Sequence, residues 1–121
     1  MVTSRLFAEH NRESIKEIAA KGGLVIIPIG AIEQHGPHLP VWTDTLTCET
    51  ITRAASLLVD GSIPVLVTPT LPFGSSDHHL PFGGTMSLDT KVLLDVLMNL
   101  GKSLHKSGFR KIMFVNGHGG N

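Results

Sequence analysis

Cysteine is nearly absent from the 121 residues, with Cys48 standing alone. One thiol cannot close an intrachain disulfide or build a thiolate metal site, so a reducing, cytoplasmic setting is expected. An excess of either charge is also missing. Ten Lys and Arg balance ten Asp and Glu, for a formal net charge of zero. That balance removes the electrostatic basis for binding nucleic acid or an anionic membrane surface. Nor is there a long hydrophobic run. The stretch from Leu24 to Ile32 is broken by Pro28 and Gly30, far short of the roughly 20 apolar residues a spanning helix needs, so no membrane partner is expected. The opening MVTSRLFAEHNRESIKEIAA carries Glu9, Glu13 and Glu17 and no apolar block, so no secretory signal is expected. Repeats, low-complexity tracts, charge runs and linkers are absent.

Apolar residues make up 41% and charged residues 17%, which excludes disorder. The length allows one domain, 1–121, able to bury roughly two-thirds of its unfolded surface. The hydrophobic pattern alternates between helical and extended periods. Residues 11–21 read as a short helix stopped by Gly22-Gly23. LVIIPI, residues 24–29, is a continuous β-branched run typical of a strand buried on both faces. Pro28 is awkward there, so the last residues of this strand are expected to lie outside the ladder. A second helix is expected over 44–59, apolar at Leu46, Thr50, Ile51, Ala54, Ala55, Leu57 and Leu58, and a second buried strand over 63–68. Residues 89–105 give the clearest helix, with Val92, Leu93, Val96, Leu97, Leu100 and Leu104 on one stripe. KIMFV, residues 111–115, reads as a third strand. Such alternation predicts βαβ units and a parallel sheet with helices on both faces.

Seven histidines are present, and five of them, His35, His38, His78, His79 and His118, lie in Gly/Pro-rich segments. Those segments each follow a predicted strand: GAIEQHGPHLPVWTD, PTLPFGSSDHHLPFGGTMSL and NGHGGN. A parallel sheet gathers the loops at its carboxyl edge into one place. In an extended Glu33-Gln34-His35, a carboxylate and an imidazole two residues apart face the same way. Gly36, Pro37 and Pro40 let the chain fold back toward Asp44, which reads equally as a helix N-cap or as a ligand. Oxygen and imidazole donors without thiolates suit Zn, Mn or Fe(II). The glycines around His118 permit close backbone approach, while their spacing matches no phosphate-binding fingerprint. Ser75-Ser76-Asp77-His78-His79 cannot form a hydrolase triad from adjacent residues, and no nucleophile elbow is present. The group is better suited to contacting substrate or supporting ligands, with His78 read as a solvated surface residue.

In that order, GAIEQHGPHLPVWTD, HHLPFGGTMSL and NGHGGN resemble the creatininase (creatinine amidohydrolase) family. The resemblance runs from about Leu24 to Asn121 and implies a three-layer α/β/α fold with a mainly parallel sheet. It further implies an often oligomeric hydrolase that uses one or two divalent ions (Zn, Mn or Fe) and activated water to cut a C–N bond. The expected substrate is a small cyclic amide or formamide. The implied metal ligands are Glu33, His35, Asp44 and His118, with Asp44 shared between two ions. Ser76 and His79 fall near substrate-contacting positions, and His79 is the candidate for an acid role. The chain departs from the family in reading Phe82-Gly83-Gly84-Thr85 for FPGT. It also has Gly120 where creatinine hydrolases carry a metal-binding glutamate, and it lacks a later acidic motif. Residues 1–121 are therefore expected to form the N-terminal, metal-bearing portion of a longer domain that associates into a homo-oligomer. The other reading is a non-catalytic metal-binding or assembly module.

Overall fold

Asn11 starts the first helix. Its side-chain oxygen accepts the Ser14 N–H at 2.9 Å, and α1 then runs Arg12–Ala20. The chain continues through β1 (Leu24–Ile29), α2 (Thr43–Leu57), β2 (Val65–Val67), α3 (Thr90–Lys106) and β3 (Lys111–Asn116). The structure, a computed structural model, describes residues 4–121. Asp89 caps α3 by accepting the Lys91 N–H at 3.0 Å.

The three strands form one parallel sheet in the order β2-β1-β3. Side-chain alternation along β1 sorts the core into two layers. Val25, Ile27 and Ile29 join Leu66, Phe109, Ile18 and Ala19 of α1 and Leu104 of α3. Ile26 turns to the other face with Val65 and Val67, against Val59, Ile63 and Val115. Helices on both faces of a parallel sheet whose strands β1 and β2 are buried give the expected three-layer α/β/α arrangement.

One expectation needs correction. Pro28 does not release the end of β1, because the ladder with β3 continues through Pro28↔Val115 and Ile29↔Asn116. The reason is directional. Pro28 turns its carbonyl toward the β2 side, where it accepts the Leu71 N–H at 2.9 Å. The N–H it lacks would also have pointed there, beyond the last β1–β2 pair at Ile26↔Val67.

The apolar positions of α2 do not mark its buried face. Its large apolar residues point outward, with Leu46, Ile51, Leu57 and Leu58 between 52% and 85% exposed. The buried positions are Thr45, Cys48, Thr52 and Ser56. Only small side chains fit because the helix sits so close to the end of β1. Thr45 Oγ1 donates to the Ala31 carbonyl at 2.8 Å and accepts the Ala31 N–H at 3.2 Å.

Gly30 permits that approach. A Cβ there would lie 2.4 Å from Thr45 Oγ1 and 2.5 Å from Thr45 Cα. The Cα belongs to helix backbone and cannot swing aside. Gly30→Ala is therefore expected to cost about 1–3 kcal/mol, in the range of other overpacking substitutions. Urea unfolding would show it as a lower midpoint at an unchanged slope. A variant as stable as the parent would mean that α2 is not clamped to β1 in this way. The same clamp sets the place of Asp44, the neighbour of Thr45.

Candidate metal centre

Three loops meet at the carboxyl edge of the sheet, as the sequence predicts. The loop after β1 turns back on itself, with Glu33 N–H donating to the Val41 carbonyl at 3.2 Å. It carries Glu33, whose side chain is almost fully buried, and His35. The loop after β2 continues into a short 3-10 helix, Asp77–Phe82, bearing His78 and His79. The loop after β3 carries the buried His118.

Asp44 lies in the first turn of α2 and does not cap it. The N-cap position falls on Trp42, which makes no side-chain cap bond. The cap reading is thereby excluded, and the Asp44 carboxylate faces histidines. Oδ1 lies 3.2 Å from His35 Nε2, and Oδ2 lies 2.8 Å from His118 Nδ1.

The opposite nitrogen of each ring decides what those contacts are. His35 Nδ1 is 2.9 Å from the Glu33 carbonyl, and His118 Nε2 is 3.0 Å from the Ser75 carbonyl. A carbonyl and a carboxylate both only accept, so each ring meets an acceptor at both of its nitrogens. A neutral imidazole has one N–H to give, and when it is spent on the carbonyl the other nitrogen turns a lone pair toward Asp44. Carbonyl-oriented imidazoles of this kind are typical of metal-binding histidines. A cation between the rings and Asp44 suits that arrangement, because it takes the lone pairs and the carboxylate together.

Glu33 supplies a second sign of a missing positive charge. Its Oε1 is buried without a hydrogen-bond partner, although the Nε2 atoms of His78, His79 and His118 lie 3.5, 3.5 and 3.6 Å away. Those separations exceed normal hydrogen-bond lengths. Among the described residues, two groups are close enough to share an ion, Glu33–His35–Asp44 and Glu33–His78–His79. His118 belongs to neither group, although it contacts Asp44 and borders Glu33. The donor set of carboxylates and imidazoles fits a divalent cation.

His35 has its pKa raised. The largest cause is its hydrogen bond to the Glu33 carbonyl; burial opposes the shift, and the carboxylates of Asp44 and Glu33 support it.

Ser76 is fully buried, and its hydroxyl lies 2.9 Å from His118 Nε2. Its backbone N–H is held by Ser87 Oγ at 2.8 Å, and Ser87 donates to Asp77 Oδ1. His79 is partly exposed at the mouth of the site. His38 is exposed.

Several supporting residues escape a sequence reading aimed at titratable groups. Asn121 joins all three loops. Its Nδ2 donates to the Gly30 carbonyl at 3.1 Å and to Asn116 Oδ1 at 3.0 Å, while its Oδ1 accepts the Ser75 N–H at 2.9 Å. Asn116 in turn holds both the N–H and the carbonyl of His118. The two asparagines flanking NGHGGN were the available signal. Gly120 is tightly enclosed, since a Cβ there would lie 2.4 Å from the Ser75 carbonyl oxygen and 2.5 Å from His118 Nε2. A glutamate at this position would require the loop to move.

The sequence model of the family described as creatininase, creatinine amidohydrolase, matches residues 8–121. The chain belongs to the creatininase family. A mycofactocin precursor peptide peptidase of Mycobacterium tuberculosis (strain CDC 1551 / Oshkosh) is 38% identical over 103 residues, 80% of this chain and 41% of that protein. A creatinine amidohydrolase of Pseudomonas putida is 31% identical over 114 residues, 88% of this chain and 42% of that protein. A crystal structure of creatinine amidohydrolase (creatininase) superposes with a TM-score of 0.86 at 27% identity, over 96% of this chain and 46% of that one. The chain thus spans about two-fifths of the length of the curated relatives it matches. The creatininase likeness covers both the sheet and the three converging loops.

Proposed function

We propose that this chain bears the metal site of a metal-dependent amidohydrolase that cuts a C–N bond in a small cyclic amide or formamide. One observation carries the reading: Asp44 is bracketed by two imidazoles whose opposite nitrogens face backbone carbonyls. Glu33, His35, Asp44 and His118 would hold one or two divalent ions, with Asp44 between the positions. A divalent ion in such a site lowers the pKa of water toward neutrality and polarises a carbonyl oxygen.

The chain's own residues supply position and polarity. Glu33, almost fully buried, contributes negative charge where a low-dielectric surrounding makes it strong. His79 borders the open side, where substrate would approach. Ser76 acts on that side through His118, whose ring it touches. The names of two relatives, an amidohydrolase and a peptidase, share C–N bond hydrolysis and support the reaction class.

Homo-oligomerisation in a reducing cytoplasm is part of the same reading. Met113 and Phe114 on β3 are 47% and 45% exposed, and an apolar cleft of about 660 Å³ runs beside Phe114 and α3.

The test is hydrolysis of formamides and cyclic amides by the purified chain with added Mn or Zn, paired with elemental analysis. Bound metal with little or no turnover is the expected result for residues 1–121 as the metal-bearing portion of a longer domain. Turnover would show that the site is complete in these residues and exclude the metal-binding or assembly module. Absence of bound metal would end the proposal.

A further inference from the structure

Two clusters share Glu33, and the hydrogen-bond network distinguishes them. Gln34 settles the matter. Its Oε1 accepts the Gly36 N–H at 2.9 Å, which fixes the orientation of the amide. Its Nε2 therefore faces His79 Nδ1, at 2.6 Å. An amide NH2 only donates, so His79 Nδ1 must accept, and the proton of the neutral ring sits on Nε2. This is the reverse of His35, whose Nδ1 faces a carbonyl.

We propose that Gln34 is a positioning residue that holds His79 as its Nε2–H tautomer, making His79 a hydrogen-bond donor at the mouth of the site and excluding it from metal ligation. The ring is seated firmly enough for this. Its centroid lies 4.3 Å from that of His78 and 6.0 Å from that of Phe82, and its backbone N–H is bonded to the Ser76 carbonyl at 3.0 Å. Gln34 is fixed in turn by its own N–H, which donates to Thr85 Oγ1 at 3.0 Å.

The proton on Nε2 is unspent. The Glu33 Oε1 atom lies 3.5 Å away, too far for a good hydrogen bond. An N–H held beside a carboxylate edge, partly open to solvent, suits donation to a substrate oxygen or to a departing nitrogen. The residue pair thus separates the labour of the histidines. His35 and His118 offer lone pairs to a cation, whereas His79 offers a proton.

The role toward substrate rests on the amidohydrolase reading, but the tautomer does not. Nitrogen NMR of the imidazole rings reports it directly, because bare and protonated nitrogens resonate in well-separated regions. In the metal-free chain His79 is expected to show a protonated Nε2 and a bare Nδ1. Gln34→Glu keeps an oxygen for Gly36 and presents a carboxylate to His79, so the proton should move to Nδ1. Adding zinc should shift a ring nitrogen of His35 and leave His79 Nε2 protonated. A bare His79 Nε2 in the parent chain, an unchanged tautomer in Gln34→Glu, or zinc binding at His79 Nε2 would each overturn the proposal. If zinc shifts no histidine, the metal reading fails while the metal-free spectrum still decides the tautomer.

Discussion

Asp44→Asn is expected to lower divalent metal affinity by about 100-fold or more, beyond the 10–100-fold loss typical of residues that merely support a ligand. The substitution keeps the size of the side chain and removes its charge. Asn has one oxygen and one amide nitrogen, so it can face only one of the two imidazoles with an acceptor. Its NH2 would instead donate to the bare nitrogen of His35 or of His118, blocking that nitrogen. Asp77→Asn serves as the control. Asp77 is exposed and bonded to Ser87, and it belongs to neither group that could share an ion. Isothermal titration with Zn or Mn, checked by elemental analysis, would measure both variants. Equal loading of the two would show that Asp44 is not a ligand.

The residues that made the site legible are those whose chemistry survives without knowledge of their neighbours. His35, His118, Glu33 and Asp44 stand in loops after β-branched strands, and topology alone carries those loops to one edge. The convergence follows from the parallel sheet, because strand runs such as LVIIPI must be covered on both faces. The role of Asp44 was less legible, since an Asp at a helix start caps as often as it ligates. The placement of Trp42 at the cap removes only the capping reading. The buried face of α2 was not legible in its apolar positions, because the close approach at Gly30 and Thr45 admits only small side chains, and tertiary fit overrides the hydrophobic pattern. Tautomers were beyond the sequence altogether. Which nitrogen carries a proton depends on whether a carbonyl or an amide faces the ring, and that is a matter of a few tenths of an ångström between separate loops.

Metal affinity should fall on acidification, by about tenfold per pH unit once the pH lies below the pKa of His35, because one proton then competes with the ion. The raised pKa of His35 starts that competition at a higher pH than the free-imidazole value of about 6.5 would imply. The metal-free chain should respond with the opposite sign. A histidine whose pKa is higher in the folded than in the unfolded state stabilises the fold in its protonated form. That contribution is complete below about pH 6.5 and is lost as the pH rises through the folded-state value. Between about pH 6 and 8, the metal-free chain should therefore melt at higher temperature on the acid side, and the zinc-loaded chain at higher temperature on the alkaline side. His35→Gln should flatten the metal-free dependence and weaken zinc binding at every pH. Melting curves that move in the same direction with and without zinc would exclude proton–metal competition at His35. The crossing of the two curves is the informative feature, because a general effect of pH on the fold would shift both alike.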